Sequence, residues 1–349
     1  MSGEQPWIGV ARQTLQATDV NYFQVKPWRY WADFALSLTL GYGAGSLFLM
    51  APLGSLWQIA AYPLAVFWLY RLGSLVHEVC HLGQHEMRVF KITWNLLVGV
   101  VTLSPSPFFT RHHRDHHSCK FYGTREDPEY VVNFYGGSGA WGVARYALEI
   151  ALFPLLVFAR FLLAPLTFLH PKLRAFVLRR GCALTLNWRY ERKVNTFDRR
   201  VLTAIELLCS LRAILMLVAV YVGWTEWTRL PLFYVLATGV LTLNQLRLLG
   251  DHHLASAGDT MSLDDHILDS CNYTKPDWGA WLLFPFAIRY HALHHMFPSL
   301  PYHNLAAAHA CLSRALPDDS PYHTLSQPSW WSVARQAFRS QPAQVMATA

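Results

Sequence analysis

The sequence predicts an all-α integral membrane protein with four transmembrane helices, arranged as two hairpins, and a cytoplasmic helical cap. Three observations support this fold class. Hydrophobic residues make up 53% of the 349 residues and charged residues only 15%, below the roughly 25% of soluble domains. Apolar runs of about 20 residues, enough to cross a bilayer, occur four times. Basic residues gather between these runs rather than inside them.

The four apolar runs form two pairs, and each pair is joined by a short turn. The runs cover residues 31–52, 58–76, 201–223 and 230–249. Two further apolar stretches contain prolines that interrupt them. We expect residues 93–109 to enter the membrane only in part, and residues 147–169 to lie along its surface.

The distribution of positive charge predicts the orientation. Of 29 Lys and Arg residues, 18 lie between Arg71 and Arg200, whereas the turn within the second hairpin has only Arg229 and the other turn has none. Because cytoplasmic segments carry the excess of Lys and Arg, both termini and the middle segment are predicted to be cytoplasmic. We therefore expect a cytoplasmic segment at 1–30, a membrane domain at 31–305 and a cytoplasmic tail at 306–349.

Composition also excludes some classes of protein. A net charge of +7 is compatible with nucleic-acid binding, but the basic residues lie where a cytoplasmic membrane face requires them, so no nucleic-acid partner is predicted. The six cysteines are scattered and form no Cys-x-x-Cys pair, which argues against a disulfide framework or a zinc ribbon.

Histidines form three clusters, and each has helical spacing. The first, His77-Glu-Val-Cys-His81, ends the second apolar run; the others are HHRDHH at 112–117 and HALHH at 291–295. A weaker feature, RLLGDHH at 247–253, ends the fourth apolar run. Positions i, i+3 and i+4 share one face of a helix, so the first cluster presents two imidazoles together and the other two present three each.

This pattern predicts a metal centre, because imidazole binds iron, zinc, copper or nickel. Two, three and three rings, with one from the weaker feature, give nine nitrogen ligands. A zinc site takes about four, so nine rings require two metals of higher coordination number. Two irons with open positions for dioxygen fit this count. Isolated histidines are usually core or interface residues, and we assign no role to His170, His266, His303, His309 and His323.

A metal-bound imidazole usually donates its other N–H to a carboxylate or carbonyl. Acidic residues that lie close to the clusters in sequence are therefore candidates for this supporting role, with an ordinary solvated acid as the alternative for each. They are Glu78, Asp115, Asp127 and Asp251.

The order and flanks of the clusters resemble the membrane fatty acid desaturases. HEVCHLGQH at 77–85 resembles the first histidine box of that family, and HRDHHSCKFYGTREDPE at 113–129 resembles the second with its Asp-Pro-Glu. YHALHHMFPSLPYHNL at 290–305 resembles the third box, and RLLGDHH at 247–253 the Arg-then-acidic-His feature of many bacterial members. The resemblance covers about residues 31–305.

The resemblance implies a di-iron centre with nine ligands and no catalytic residue beyond them. The implied ligands are His77, His81, His113, His116, His117, His252, His291, His294 and His295. The family pattern does not require His85, His112 and His253. Which histidine of the pairs 112–113 and 252–253 is the ligand therefore stays open.

The implied activity is a membrane-bound oxygenase that uses O₂ and external electrons to introduce a double bond into the acyl chain of a lipid or acyl thioester. A hydroxylase of a lipid or carotenoid would use the same ligands, because both reactions begin at an unactivated C–H bond, and sphingolipid substrates are also compatible. The flanking similarity favours desaturation. From another class, His77-Glu78-x-x-His81 is also the zinc metalloprotease motif, but an intramembrane protease would leave two clusters without a role.

Such an oxygenase needs electrons from outside. The sequence contains no haem-binding His-Pro-Gly-Gly, no cysteine pair for an iron–sulfur site and no Gly-rich dinucleotide fingerprint. We therefore expect a separate reductase and an electron carrier of the ferredoxin, rubredoxin or cytochrome b type.

Overall fold

A computed structural model describes residues 6–130, 140–275 and 278–339, so the ends of the two predicted terminal segments lie outside the described residues. The helices are α1 (Pro6–Gln16), α2 (Pro27–Met50), α3 (Leu56–His81), α4 (Arg88–Trp94), α5 (Ser106–His116), α6 (Ala140–Leu162), α7 (Pro171–Arg180), α8 (Thr196–Tyr221), α9 (Arg229–Asp251), α10 (Leu263–Asp269), α11 (Trp278–Leu283), α12 (His291–Met296), α13 (Tyr302–Ala315) and α14 (Trp330–Arg339). Two short strands, β1 (Asn272–Tyr273) and β2 (Ser326–Gln327), pair in parallel.

Within the described residues, five helices are long and apolar enough to cross a membrane: α2, α3, α6, α8 and α9. Four of them match the four predicted apolar runs, although the runs 31–52 and 201–223 each extend two residues beyond the end of the helix. The fifth, α6, was predicted to lie along the surface as residues 147–169, but the helix begins at Ala140 and ends at Leu162. Pro154 lies inside it and Pro165 lies beyond its end. By length and composition the described residues have five candidate spans, so the predicted count of four transmembrane helices is not confirmed.

The chain divides into two compact units. We call residues 30–114 and 147–244 the apolar unit, since most of the candidate spans lie there. We call the described parts of 1–29, 115–146 and 245–349 the terminal unit, since it holds both ends of the chain. The predicted boundary between residues 305 and 306 falls inside α13.

In the apolar unit, α3 and α9 approach each other closely. A cluster that includes Ala61, Ala65 and Leu236 forms part of their contact. A Cβ atom at Gly239 would lie 2.6 Å from the Tyr62 hydroxyl oxygen, so only glycine fits there without a shift of that side chain. Small residues at this contact bring the two helices together, as is common between membrane helices.

The start of α5, the helix that carries most of the second histidine cluster, belongs to a helical hairpin of the apolar unit. A π-helical turn, Asn95–Gly99, follows α4, and α5 begins a few residues later. The Asn95 amide donates to Ser106 Oγ and accepts from the Ser106 backbone N–H, both at 2.8 Å. This clasp holds the start of α5, the helix on which His113 lies in the apolar unit.

A buried ion cluster stabilises the apolar unit. Glu206, fully buried on α8, forms ion pairs with Arg160 and Arg174, and Arg174 Nη2 also donates to Thr203 Oγ1 at 2.9 Å. Arg160 Nε donates to the Gly181 carbonyl at 2.9 Å. Glu206 is therefore the one carboxylate that neutralises two guanidinium groups in this cluster.

We expect Glu206→Ala to lower the free energy of unfolding by about 3–5 kcal/mol, because removal of one partner leaves buried charges uncompensated. Chemical unfolding in detergent measures the change. Glu226→Ala is the matched control: this carboxylate also pairs with an arginine, Arg229, but it is exposed, so its loss should cost about 0–1 kcal/mol. Equal losses in the two variants would contradict the role given to Glu206.

The terminal unit is held together by contacts that span the sequence. Trp7 Nε1 on α1 donates to Asp264 at 3.1 Å, and the Asn304 amide on α13 donates to the Tyr22 carbonyl at 2.7 Å. Its core includes Tyr122, a buried residue close to the histidines. These contacts connect α1 with α10 and α13 with the segment that follows α1. The core connects the end of α9 with α14.

Candidate metal centre

Four buried histidines of the terminal unit converge. His116 ends α5, His252 follows α9, and His291 and His295 lie one turn apart on α12. The Nε2 atoms are 3.2 Å apart for His116 and His252, 3.2 Å for His252 and His291, and 2.9 Å for His291 and His295. A metal about 2.1 Å from two nitrogens at a right angle separates them by about 3 Å, so this set fits one metal ion.

The other ring nitrogens of two of these histidines are held by oxygen atoms. His116 Nδ1 lies 2.9 Å from Oδ1 of Asp127, one of the four acids considered for a supporting role. His252 Nδ1 lies 2.8 Å from the Tyr122 hydroxyl and 3.1 Å from Ser270 Oγ. With Nδ1–H as donor, each ring directs its Nε2 lone pair toward the centre of the set, as metal-binding histidines do.

A buried carboxylate that the sequence analysis did not single out lies behind these contacts. Tyr122 and Tyr130 each donate a hydroxyl hydrogen to Asp269 Oδ2 at 2.8 Å, and the Ala255 N–H donates to Asp269 Oδ1 at 3.0 Å. Since the Tyr122 hydrogen is directed to Asp269, its oxygen accepts from His252. Asp269 lies outside the histidine boxes, so no spacing pattern marks it.

His266, to which the sequence analysis gave no role, lies against the four-histidine set. His266 Nε2 is 2.6 Å from His295 Nδ1. Its ring stacks on Tyr122, with centroids 3.5 Å apart and planes 21° apart. An isolated histidine in sequence is therefore part of the site in space.

Burial and local charge set the protonation of these rings. Burial lowers the pKa of His252, His266 and His295 well below the ordinary histidine value, so these rings are neutral at neutral pH. Burial also lowers the pKa of His116, but the charge and hydrogen bond of Asp127, together with the charges of Glu129 and Asp251, outweigh this effect, and the pKa is raised overall. Neutral imidazoles are the form that binds metal ions.

The remaining two predicted ligands of the terminal unit form a second contact. The Nε2 atoms of His117 and His294 lie 3.2 Å apart, and the His117 ring stacks on His295 with centroids 4.1 Å apart. His117 directly follows His116 in sequence, but its Nε2 atom is directed to His294, whereas Nε2 of His116 is directed to His252.

Three predicted ligands of the apolar unit also group together. His77 and His81 lie one turn apart on α3, and His113 lies on α5; their ligand atoms are within 4.8 Å of one another. His113 Nε2 is 3.0 Å from His81 Nε2. Glu78 is buried, with Oε1 3.2 Å from His77 Nδ1, and its other oxygen accepts from the Tyr30 hydroxyl at 3.3 Å.

Within the pairs 112–113 and 252–253, His113 and His252 lie in the groups of converging histidines that the described residues form. His112 Nδ1 lies 3.1 Å from the Phe108 carbonyl, and His253 Nδ1 lies 3.4 Å from the Gln336 amide oxygen. His85 is exposed. These three residues therefore lie outside the groups formed by the predicted ligands.

The other predicted acids have different surroundings. Asp251 binds Arg247 at 2.5 Å, and its Oδ2 lies 3.9 Å from His291 Nε2. Asp115 is buried on α5.

Among the isolated histidines, His309 Nδ1 lies 2.7 Å from the Tyr322 hydroxyl. The others bind backbone groups: His170 accepts from the Leu173 N–H, His303 from the Lys26 N–H, and His323 Nε2 lies 3.0 Å from the Pro317 carbonyl.

Comparison with known proteins agrees with the histidine pattern. The model of the fatty acid desaturase family matches residues 55–326. A ceramide hydroxylase of Caulobacter vibrioides (strain NA1000 / CB15N) is 34% identical over 334 residues, which cover 95% of this chain and 94% of that protein. The resemblance predicted from the histidine boxes is confirmed, and the chain belongs to the fatty acid desaturase family.

Proposed function

We propose that this protein is a membrane di-iron oxygenase that hydroxylates a ceramide-type lipid. The convergence of four buried, Nε2-directed histidines supports a metal centre rather than a set of structural histidines. The similarity to a ceramide hydroxylase covers nearly the whole of both chains, which supports this substrate class and reaction.

The nine predicted ligands are proposed to hold two irons. His116, His252, His291 and His295 are assigned to one iron on the basis of their mutual distances. The second iron is proposed on the basis of the nine-imidazole count alone. An all-imidazole set of this size suits two irons better than zinc, which takes about four ligands.

The bound irons would supply the activation of dioxygen that an unactivated C–H bond requires. The protein would orient the metal-binding rings and exclude water from them. Asp127 and Tyr122 hold the N–H groups of His116 and His252, so that the Nε2 lone pairs stay directed inward. Almost complete burial of these rings would keep water from the metal-binding nitrogens.

Desaturation of an acyl chain is the second candidate, favoured by the match to the fatty acid desaturase family and by the flanking sequences of the boxes. Both reactions consume one O₂ and two external electrons. Hydroxylation gives an alcohol and one water, whereas desaturation gives an alkene and two waters. The same ligands serve both, so the product decides between them.

We expect cells that express the protein to convert ceramides into species with one additional oxygen atom. Lipid extracts analysed by mass spectrometry measure this change, with ¹⁸O₂ as the source of the label. Labelled hydroxyceramide supports the proposal, and loss of two hydrogen atoms without label would favour desaturation instead. Cells that express His295→Ala are the control.

Two membrane hairpins agree with the contacts of the terminal unit. Between His116 and His252, the described chain has three candidate spans, α6, α8 and α9. Three full crossings would put these histidines on opposite faces of the membrane, yet their Nε2 atoms are 3.2 Å apart. We therefore propose that α8 and α9 cross as one hairpin, α2 and α3 as the other, and that α6 lies along the surface. The excess of Lys and Arg assigns the termini and the site to the cytoplasmic side.

Glu78 separates the oxygenase from the zinc protease. A protease needs this carboxylate as a general base, so Glu78→Gln would eliminate its activity. In the proposed oxygenase, Glu78 only supports His77 through Nδ1, so the variant should retain oxidation reduced about 10–100-fold. Product formation by the purified variant measures this. Loss of all product at unchanged iron content would contradict the supporting role given to Glu78.

A further inference from the structure

His266 makes a contact with the four-histidine set that the oxygenase mechanism above does not use. Its Nε2 atom lies 2.6 Å from Nδ1 of His295, and both rings are buried. α10 holds the ring in place: the Ser262 hydroxyl caps the first turn, and Ser270 Oγ donates to the His266 carbonyl at 3.0 Å.

The direction of this hydrogen bond follows from the position of His295. A neutral imidazole carries one N–H, and the His295 Nε2 atom lies 2.9 Å from His291 Nε2 inside the four-histidine set. For Nε2 to bind a metal, its lone pair must be free, so the hydrogen of His295 must be on Nδ1. Nδ1–H then donates to His266 Nε2, and His266 is the acceptor.

The kind of acceptor differs between the rings of the set. His116 donates to the carboxylate of Asp127, whereas the partner of His295 is a neutral ring. His266 also stacks on Tyr122, the residue that accepts from His252. One stacked pair thus contacts two of the four rings and restrains both.

We infer that His266 is a positioning residue for the metal centre: it fixes the tautomer and orientation of His295 by accepting the hydrogen of Nδ1, and α10 is the element that presents it. This inference rests on the proposed di-iron function. It assigns a role to a residue outside the nine ligands and outside the histidine boxes.

Substitutions at His266 can separate hydrogen bonding from packing. His266→Gln keeps an acceptor at about the reach of Nε2. His266→Leu keeps bulk without an acceptor, and His266→Asn keeps the amide but ends one bond short. His309→Leu is the matched control, because His309 is also buried in the terminal unit and lies 2.7 Å from its partner, the Tyr322 hydroxyl.

The test is metal binding by the whole purified protein, independent of turnover. Metal-free protein in detergent is titrated with Co²⁺ against a competing chelator, while the cobalt absorption spectrum and the melting temperature are recorded. We expect wild type to bind two Co²⁺. We expect His266→Leu and His266→Asn to weaken one site about 10–100-fold with an altered spectrum, as is typical for loss of an outer partner of a ligand. His266→Gln should restore most of the affinity, and His309→Leu should bind as wild type does.

Three results would overturn the inference: both loss variants bind two Co²⁺ as tightly as wild type, His266→Gln loses as much as His266→Leu, or His309→Leu loses as much as either. Failure of wild type itself to bind two Co²⁺ would instead reject the di-iron proposal, and the inference with it. The two failures are therefore distinguishable in one titration series.

Discussion

Alanine in place of His116 or His295 is expected to abolish lipid oxidation and to reduce the iron content of the purified protein. Each ring directs Nε2 toward the other members of the four-histidine set, and both rings are buried. Removing a direct ligand should lower activity by more than the roughly 10–100-fold decrease that is typical when an outer partner of a ligand is removed. Mass spectrometry of lipid products and metal analysis of the same preparations measure both effects.

Two histidines serve as controls for this experiment. His85 follows the first cluster at helical spacing but is exposed, and His309 is buried but bonds Tyr322 away from the set. Alanine at His85 should leave activity unchanged, and alanine at His309 should leave it nearly intact, with some loss of stability. Equal activity in all four variants would remove the ligand assignment altogether.

The residues of the histidine boxes could be predicted because helical spacing is visible in sequence. His291 and His295 lie on one turn of α12, and His77 and His81 lie on one turn of α3, as the i, i+4 spacing requires. Asp127 could also be predicted, since a supporting acid close in sequence has a short path to its ring. Local patterns thus indicate which residues could bind metal.

The outer partners could not be predicted in this way. His266 reaches His295 across 29 positions, and Asp269 reaches Tyr122 across 147. Neither has a repeated spacing, and an isolated buried histidine is usually a core residue. Only the fold of the terminal unit brings α10 beside the end of α5 and α12.

The interpretation of α6 shows a different limit. Prolines within its apolar stretch argued against a full crossing, but Pro154 is accommodated inside a continuous helix. Arg160, on the same helix, is neutralised by Glu206. Composition alone therefore cannot decide whether α6 crosses, and the proximity of His116 and His252 is the stronger argument.

The purified protein is expected to show no turnover with NAD(P)H alone. Forming an alcohol or an alkene removes two electrons from the lipid, while the reduction of O₂ to the level of water takes four, so two electrons must come from outside. The sequence contains no haem-binding, iron–sulfur or dinucleotide motif that would deliver them. A separate reductase and a small carrier should therefore restore activity.

Surface charge indicates how such a carrier would dock. Arg88, Lys120 and Arg125 are exposed in the basic middle of the chain, whereas Arg160 and Arg174 are occupied by Glu206. The positive charge that could attract a carrier is therefore smaller than the 18 Lys and Arg of this segment suggest, but it is still positive. An acidic carrier should associate faster at low salt, because charge steering weakens as ionic strength rises.

Reconstitution tests this directly, with purified enzyme, lipid substrate, O₂, reductase and carrier assayed over a range of salt concentrations. Product should require all components, and the rate at limiting carrier should fall as salt rises. Lys120→Glu and Arg125→Glu should weaken the salt dependence, while Glu226→Lys is a charge-change control on an exposed residue outside this segment. Sustained turnover with NADPH and no carrier would refute the external donor, because electrons would then reach the site by a route that the residues described above do not provide. Turnover without oxygen would refute the oxygenase, because the oxidant would then not be O₂.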